Sequence, residues 1–272
     1  MTTVKSLHTY PVKSCKGIDL DASELTSSGL KWDRNWMVVD EHGNFLTQRS
    51  HPKMALISTS MTLAALKLGA PGMPLVNISL VHGAPAIRRV KVWDHACEAF
   101  DEGDHIAGWL ADFLAIHCRL VRFDPRHRRV SDRHWTGTDE GLNRFSDGFP
   151  ILVIAEASLA DLNTRLASPL AMNRFRPNIV IDGVSAYDED YLDRMSAGSI
   201  ILRIVKPCTR CEITTTDQVT GARGPEPLRT LSTYRSSERA NGGITFGQNA
   251  IVIGGAGEMV TVGMAFETHW TF

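Results

Sequence analysis

The residues best suited to chemistry lie in one short segment, residues 206–217, which contains a Cys-x-x-Cys pair formed by Cys208 and Cys211. Such a pair acts as a redox dithiol, as half of a structural zinc site, or as the source of one thiolate ligand for a soft transition metal. Arg210, beside Cys211, would favour the thiolate form. The β-branched residues that follow predict a strand, whereas a redox dithiol normally opens a helix. The pair also fits two small buried side chains beside a turn, so the motif alone leaves these interpretations open.

The other cysteines, Cys15, Cys97 and Cys118, are scattered and offer neither a second Cys-x-x-Cys nor a nearby histidine pair for zinc. Five cysteines at uneven spacing do not form the pattern of a secreted disulfide framework. We therefore expect a reducing compartment, in which a cysteine serves as a ligand or a nucleophile rather than in a bridge.

Several basic and amide side chains stand where strands begin or end. Lys13 and Ser14 follow the first predicted strand, in a turn that could hold a phosphate through side chains and backbone N–H groups. Arg34 begins another strand. Arg176 and Asn178 lead into a third, with a fork for phosphate or carbonyl groups and an amide for a heterocycle. Each piece alone fits a solvated turn or a surface ion pair equally well.

The composition of the chain limits its partners. The chain has 272 residues, a formal charge of −1 and 43% hydrophobic residues, so it has no overall field for nucleic acid or an anionic membrane. The N-terminus lacks the apolar run of a signal peptide, and the longest apolar stretches are far shorter than a membrane span. We expect a soluble, cytoplasmic protein.

The pattern of strands predicts an α+β, mainly β fold in two parts, a β-barrel-like unit over residues 1–123 and a second β-barrel domain with a few helices over residues 124–272. Between them, residues 124–140 are polar and arginine-rich, which predicts a long, solvated surface loop. The predicted strands are residues 3–10, 36–39, 45–48, 56–60, 75–81, 87–93, 119–123, 150–155, 179–181, 199–205, 212–216, 244–253 and 259–266. Apolar residues at helical spacing predict a helix over residues 106–114. A second helix is expected to begin at a capping box formed by Ser158 and Asp161, and a short one over residues 227–234.

Taken together and in order, these motifs resemble a known family. The matching stretches are residues 10–17 (YPVKSCKG), 33–36 (DRNW), 158–163 (SLADLN), 173–178 (NRFRPN), 207–211 (PCTRC), 214–217 (TTTD) and 246–248 (FGQ). They resemble the MOSC-domain proteins that carry an N-terminal β-barrel-like domain, and among these the mitochondrial amidoxime reducing component and its bacterial relatives. The resemblance spans nearly the whole chain.

The resemblance implies a molybdenum cofactor, in which a pterin dithiolene with a terminal phosphate holds an oxo-molybdenum centre. Cys211 matches the single cysteine that completes the coordination of the metal, and Asp217 is a candidate proton donor or anchor. Lys13, Ser14 and Arg34 match residues that hold the phosphate end. The positions that match the pterin side are Arg176, Asn178, Thr209 and Arg210, with Gln248 in the last motif and residues 146–149 through their backbone, where Gly148 and Phe149 replace small hydroxyl residues.

The implied activity is the reduction of N-hydroxylated compounds: amidoximes, hydroxylamines or N-hydroxylated bases. The chain ends at Phe272 with no cysteine after Cys211, so no iron–sulfur domain is expected within it. Electrons are expected from a separate partner protein of the ferredoxin, flavoprotein or haem type. The competing hypotheses are a sulfur carrier with a persulfide on Cys211, a cofactor-binding or storage protein, and a zinc or dithiol redox protein.

Overall fold

The computed structural model describes residues 1–81 and 85–271, and short strands make up most of its regular structure. In chain order, the strands of the first part are β1 (Thr2–Thr9), β2 (Ile18–Leu20), β3 (Ala22–Thr26), β4 (Gly29–Leu30), β5 (Trp36–Val39), β6 (Ser58–Met61), β7 (Ala65–Gly69), β8 (Val76–Ser79), β9 (Ile87–Val92), β10 (His95–Asp101) and β11 (Arg119–Phe123). The strands of the second part are β12 (Arg129–Val130), β13 (Leu142–Asn143), β14 (Ile151–Ala155), β15 (Ile179–Asp182), β16 (Leu192–Ala197), β17 (Ile200–Thr209), β18 (Ser236–Ser237), β19 (Gly243–Gly254), β20 (Met259–Thr261) and β21 (Ala265–Trp270). The α-helices are α1 (Asp104–Leu114), α2 (Arg133–Thr136), α3 (Glu156–Thr164) and α4 (Leu228–Leu231), and 3-10 turns occupy Pro52–Leu56, Met172–Arg174, Asp188–Tyr191, Glu212–Thr215 and Glu238–Ala240.

A closed barrel forms the centre of the second part. Its strands pair in the order β14-β15-β1-β21-β16-β17-β19, and β19 pairs back onto β14, so the described strands close without a free edge. Strands β14 and β15 run parallel, and α3 is the main element of the crossover between them. Alternate residues point inward, among them Leu7, Leu202 and Phe266, which are fully buried. The mainly β architecture that the sequence predicts is therefore confirmed.

The first part of the chain builds two smaller sheets, β5-β11-β10-β9 and β6-β7-β8. Helix α1 covers them with its predicted apolar stripe, because Ile106, Trp109 and Leu110 are buried in one core with residues of both sheets. Strand β1, although it opens the chain, lies in the barrel between β15 and β21. The division of the chain between residues 123 and 124 stays a prediction. None of the described helices is both long and apolar enough to cross a membrane.

Two predicted strands are wrong for the same physical reason. Residues 212–216 contain the 3-10 turn Glu212–Thr215, in which Thr214 donates a hydrogen bond to the carbonyl of Cys211 at 2.9 Å. Residues 45–48 make only an isolated bridge before a turn, where the backbone N–H of Arg49 donates to the Thr47 hydroxyl. Hydroxyl side chains that bond to nearby backbone groups compete with strand pairing.

The sequence pattern also misplaces one helix start and misses several strands, of which β10 and β16 are the longest. Helix α3 begins at Glu156, and the Ser158 hydroxyl donates to Glu189 at 2.7 Å instead of capping the helix. Strand β10 is missed because its inward positions include small and charged residues such as Ala99 and Asp101. Strand β16 is missed because a bulge interrupts its alternation near its start.

The arginine-rich residues 124–140 form more than a surface loop, since they contain β12 and α2. Arg126 and Arg128 are exposed and pair with Asp124 and Glu140, as expected of a solvated face. Arg129 is the exception, because its side chain is buried and donates to the backbone carbonyls of residues 144, 146 and 147. The prediction of a solvated loop is therefore wrong for Arg129.

Candidate active site

A cavity of about 460 Å³ lies where the two parts of the chain meet, and we call it the main cavity. The first part contributes Lys13, Ser14, Arg34, Thr47, Arg49 and Trp93 to its lining. The second part contributes Ser146, Asp147, Gly148, Phe149, Leu152, Phe175, Arg176, Asn178, Lys206, Cys208, Thr209, Arg210, Cys211, Ile213 and Asn249. The structure thus brings together in one cavity all the predicted site residues except Asp217 and Gln248.

Lys13 anchors one end of the main cavity. It is buried, and its ammonium donates to the carbonyl of Phe145 at 2.7 Å and to the carboxylate of Asp147 at 2.5 Å. Burial lowers the pKa of Lys13, and Asp147 opposes that shift. Burial alone would raise the pKa of Asp147, but the ammonium of Lys13 holds it well below its usual range. The contacts with Asp147 and with the carbonyl of Phe145 fix the lysine in place.

Two arginines share one aromatic ring beside this end. The guanidinium carbons of Arg34 and Arg176 lie 4.4 Å and 4.2 Å from the ring centroid of Tyr10. Arg34 donates to the buried carboxylate of Asp33 at 2.7 Å, whereas Arg176 donates to the carbonyl of Cys15 at 2.7 Å. Burial, together with the nearby Arg34, lowers the pKa of Arg176 to about 10, so it remains a cation at neutral pH.

One wall of the main cavity carries nitrogen atoms that the described residues do not satisfy. Nη2 of Arg176 and Nε of Arg210 are buried and have no hydrogen-bond partner in the part of the chain that the structure describes. A buried donor without an acceptor costs about 1 to 3 kcal/mol, so such donors in a cavity indicate an acceptor on a ligand. The arginine pair therefore predicts a ligand with anionic or carbonyl oxygens.

The thiol end of the cavity differs from its sequence-based interpretation. Nη1 of Arg210 lies 2.9 Å from the sulfur of Cys208, and Nη2 donates to the carbonyl of Phe175. The arginine that reaches Cys211 is Arg49, whose Nη1 lies 3.3 Å from its sulfur. The side chain of Arg210 therefore turns to the other cysteine, and its effect on a thiolate at Cys211 stays a prediction.

Backbone strain is concentrated around the main cavity. Ser14, Arg34, Trp93 and Arg176 have φ angles of 67°, 43°, 56° and 57°, a region that favours glycine. Each such residue costs of order 1 kcal/mol and persists only where the surrounding structure enforces it. Four strained residues in the lining of one cavity indicate that the fold gives up stability to aim these side chains.

Asn178 is positioned by the fold as well as by the cavity. Its amide oxygen accepts from the N–H of Leu152 and from Arg34, each at 3.1 Å, and its amide nitrogen donates to the carbonyl of His8 at 3.2 Å. The side chain thus ties β14 to β1 and orients Arg34. Both ends of the amide have protein partners, and these contacts do not favour the predicted contact with a heterocycle.

Asp217 and Gln248, both predicted site residues, lie outside the main cavity lining. The carboxylate of Asp217 accepts from the backbone of Val219 and Thr220 and from Arg174 at 2.9 Å. Hydrogen bonding from Thr220 lowers the pKa of Asp217, so it is ionised at neutral pH and cannot donate a proton. The amide of Gln248 is buried and donates to Asp190 at 2.7 Å. These contacts hold loops in place.

Sequence reasoning misses Arg49 and Trp93. The guanidinium carbon of Arg49 lies 4.5 Å from the Trp93 ring centroid, and the indole N–H donates to Asp147 at 3.1 Å. Trp93 follows β9 at a turn and is 47% exposed. An aromatic residue in a turn is the sequence feature that could have identified it as a site residue. For Arg49 the sequence carries no such signal, because its contact with Cys211 joins residues that are 162 positions apart.

The chemistry of the cavity follows from its donors. Lys13, Lys206 and four arginines face it, against Asp147 as the one carboxylate among the described lining residues, and Cys211 supplies a soft sulfur ligand. This set fits an anionic group that carries phosphate and carbonyl oxygens beside a soft metal. The residues therefore fit the pterin cofactor that the motifs imply, and the unpartnered arginine nitrogens are the observation that supports the fit.

Comparison with known proteins gives matches over both parts of the chain. Models of the MOSC N-terminal beta barrel domain and the MOSC domain match residues 1–117 and 140–267. The chain is 38% identical over 242 residues to mitochondrial amidoxime reducing component 2 of Bos taurus, which covers 86% of this chain and 72% of that protein. It is 37% identical over 246 residues to mitochondrial amidoxime-reducing component 1 of Homo sapiens, over 87% and 73% of the two chains. Both matched segments contribute residues to the main cavity.

Among solved structures, the YUAD protein from Bacillus subtilis aligns over 100% of this chain and 98% of its own, at 12% identity and a TM-score of 0.44. That likeness is too low to carry an argument.

Proposed function

Because the chain belongs to the family of MOSC-domain proteins that carry an N-terminal MOSC β-barrel domain, we propose that it is a molybdenum-cofactor-dependent reductase of N-hydroxylated compounds. The substrates would be amidoximes, hydroxylamines or N-hydroxylated bases, and the products amidines or amines. One observation carries the proposal: a cysteine sulfur, that of Cys211, stands in the wall of a cationic cavity whose arginines have unsatisfied nitrogens. The names of the relatives, amidoxime reducing components, point to the same substrate class.

We assign the cofactor-holding roles by position in the cavity. Lys13, Ser14 and Arg34 would hold the phosphate end, where a lysine and a strained backbone are fixed in place. Arg176 and Arg210 would bind the pterin side through the nitrogens that the described residues leave unsatisfied. Thr209 and the backbone of residues 148–149 complete that side. When bound, the cofactor supplies the two-electron chemistry that removes oxygen from nitrogen as water.

The protein contributes orientation at the thiol end. Cys211 would be the protein ligand of the metal, and Arg49 holds its sulfur from the opposite part of the chain at 3.3 Å. The Trp93 ring stacks on Arg49 and gives this wall an apolar surface. Cys208 is bound to Arg210, which supports a structural role for it. We no longer propose Asp217 as a proton donor, since its carboxylate is ionised and turned to its own loop.

The reduction of one N-hydroxyl group consumes two electrons and two protons. We propose that a separate protein of the ferredoxin, flavoprotein or haem type supplies the electrons. The near-neutral charge and the free cysteines support a cytoplasmic location, which cell fractionation would test.

The decisive experiment is elemental and pterin analysis of the protein purified from a host that makes the cofactor, followed by an amidoxime reduction assay with a chemical reductant. We expect about one molybdenum and one pterin per chain and conversion of the amidoxime to the amidine. Zinc without molybdenum would contradict the proposal in favour of a zinc protein. Bound cofactor without turnover of the amidoxime would indicate a storage protein instead. A persulfide on Cys211 would indicate a sulfur carrier.

The two cysteines provide a matched pair of variants. Cys211→Ala removes the proposed metal ligand, so reduction should fall below detection. Cys208→Ala removes a thiol of the same motif that is bound to Arg210, and it should keep at least a tenth of the activity. Equal activities in the two variants would overturn the assignment of Cys211.

A further inference from the structure

A second cleft, of about 540 Å³, lies at the junction of the two parts and shares none of its described lining residues with the main cavity. Its lining consists of Thr26, Ser27, Ser28, Lys31, Trp32, Asn35, Leu80, Phe100, Arg122, Phe123, Pro125, His127, Arg128, Arg129, Leu142, Asn143 and Arg144. We call it the junction cleft. None of the roles proposed above uses it.

The junction cleft is cationic on every side. Its described lining contains no Asp or Glu but one lysine and four arginines. Three of these cations have carboxylate partners outside the lining: Lys31 pairs with Glu24, Arg122 with Glu102 and Arg128 with Glu140. The other two are Arg129 and Arg144, and no described carboxylate forms an ion pair with either of them.

Arg129 and Arg144 are held by neutral groups alone. Arg129 is 5% exposed, donates to three backbone carbonyls, and keeps a buried Nε without a partner among the described residues. Arg144 donates to the carbonyl of Leu30 at 3.2 Å and to the hydroxyl of Thr26 at 3.1 Å. Burial lowers the pKa of both side chains, yet a guanidinium keeps its charge at neutral pH. Asp147 and Asp33 act electrostatically on Arg129 and Arg144, but no described carboxylate forms an ion pair with either. One buried and one partly buried guanidinium therefore line the cleft.

The rest of the lining is aromatic and aliphatic. Trp32, Phe100 and Phe123 line the cleft together with Leu80 and Leu142. Rings of this kind bury a flat apolar ligand, while a few polar groups fix its orientation. The volume is within the range of pockets that hold small organic molecules.

We propose that the junction cleft binds a small aromatic anion, a planar aryl group that carries a carboxylate or a phosphate. The aryl group packs against the rings, and the anionic oxygens accept hydrogen bonds from Arg144, with the positive charge of Arg129 beside it. Such an oxyanion gains a charge-assisted hydrogen bond from a guanidinium that forms no ion pair with the described carboxylates. The binding is independent of the molybdenum cofactor and of the proposed reductase activity.

The test is calorimetric titration of the full-length chain with 2-naphthoate, and with neutral 2-naphthamide as the isosteric control. We expect naphthoate to bind with a submillimolar Kd and naphthamide to bind at least tenfold more weakly. Arg144→Gln should weaken naphthoate binding at least tenfold. Equal affinities for the acid and the amide, or no binding at millimolar naphthoate, would overturn the proposal.

Two further variants locate the binding. Ser27 is exposed at the edge of the cleft, so Ser27→Trp should block naphthoate whereas Ser27→Ala should not. The two Ser27 variants leave both arginines in place, so they test the location of naphthoate binding even where Arg144→Gln fails to fold. Arg210→Gln, in the main cavity, should leave the Kd for naphthoate within twofold. Loss of binding in Arg210→Gln with none in Ser27→Trp would place the anion in the main cavity and refute the inference.

Discussion

The protein holds arginines in two contrasting ways. In the first part of the chain, Asp101 is a buried carboxylate that accepts hydrogen bonds from Arg88 and from Arg119, the latter at 2.6 Å. In the main cavity, Arg176 and Arg210 instead donate to backbone carbonyls and keep unsatisfied nitrogens. The same side chain is neutralised by a carboxylate in one region and, in the other, keeps a nitrogen without a partner among the described residues.

This contrast distinguishes charged side chains that stabilise the fold from charged side chains that are kept for another reason. Breaking a buried pair destabilises a protein strongly, because the remaining charge has no partner. A buried cation with no counter-charge is already destabilising, so its removal costs the fold little and its retention needs another reason. The nature of the acceptor therefore distinguishes the two regions: a carboxylate in the first part of the chain and backbone carbonyls in the main cavity.

The largest effect is expected from Arg176→Met, which removes a cation of the main cavity and keeps its volume. The loss of a buried, charge-assisted contact to the cofactor should weaken cofactor retention about a thousandfold, or about 4 kcal/mol. The free energy of unfolding of the cofactor-free chain should change by no more than about 1 kcal/mol. Molybdenum content after gel filtration and urea denaturation measure the two quantities.

A matched control for this variant is Arg165→Met, on the surface beyond α3. Arg165 makes an exposed ion pair with Asp161, so its loss should leave both molybdenum retention and stability nearly unchanged. If Arg176→Met strongly destabilised the cofactor-free chain and left molybdenum retention unchanged, the two regions would not differ in the way described.

The second prediction addresses the ion-paired region. Asp101→Asn leaves Arg119 and Arg88 without their shared carboxylate, and the free energy of unfolding at pH 7 should fall by about 3 kcal/mol. Activity per folded molecule should stay the same, because these residues lie outside the main cavity lining. Guanidinium denaturation and an assay corrected for folded fraction test both statements.

The pH dependence of the same variant has a definite sign. Burial alone would raise the pKa of Asp101, but the hydrogen bonds from Arg119 and Arg88 lower it below its ordinary value of 3.8. The stabilisation is therefore fully present above that value and is lost as the pH falls through the lower, folded-state pKa. The stability difference between Asp101→Asn and the natural chain should shrink in strong acid. A difference that stayed constant with pH would exclude the ion pairs as its cause.

The sequence allowed much of this molecule to be predicted, because local patterns carry the relevant physics. The apolar stripe of α1 and the alternation of β1 are periodicities that neighbours in the chain impose. The cavity lining was predicted where motif residues follow strand ends, as Lys13 and Arg176 do. Only the resemblance to a family indicated that these residues act together, because no single motif did so.

What could not be predicted depends on contacts across the fold. Arg49 reaches Cys211 only because a turn of the first part faces the end of β17. Arg129 has the same sequence context as its solvated neighbours, and only the path of residues 144–147 buries it. Tertiary partners, not local propensity, decide these two cases. For Asp217 the sequence left the proton-donor and anchor roles open, because a carboxylate in a motif does not reveal whether its own loop satisfies it.

The third and smallest effect is expected from a buried carboxylate that lacks a cation. Glu189 is fully buried and accepts hydrogen bonds from the Ser158 hydroxyl and the N–H of Ala155, both neutral donors. Burial raises the pKa of Glu189 from 4.5 to about 7. The folded chain therefore keeps a proton that the unfolded chain loses, and this group makes stability fall as the pH rises from about 4.5 to about 7.

Glu189→Gln should remove this pH-dependent loss of stability, because an amide has no charge to bury. Its oxygen can accept from the N–H of Ala155, and its nitrogen can donate to the Ser158 hydroxyl. The variant should match the natural chain near pH 4 and exceed it by roughly 2 kcal/mol above pH 7. Glu156→Gln is the control, since Glu156 forms an exposed pair with Lys5 and should change stability by less than about 1 kcal/mol at either pH. Urea denaturation at pH 4.5 and pH 8 distinguishes the outcomes. If Glu189→Gln were less stable than the natural chain at pH 8, a carboxylate in this barrel would not need a counter-charge, and the same reasoning about the arginines of the main cavity would lose its basis.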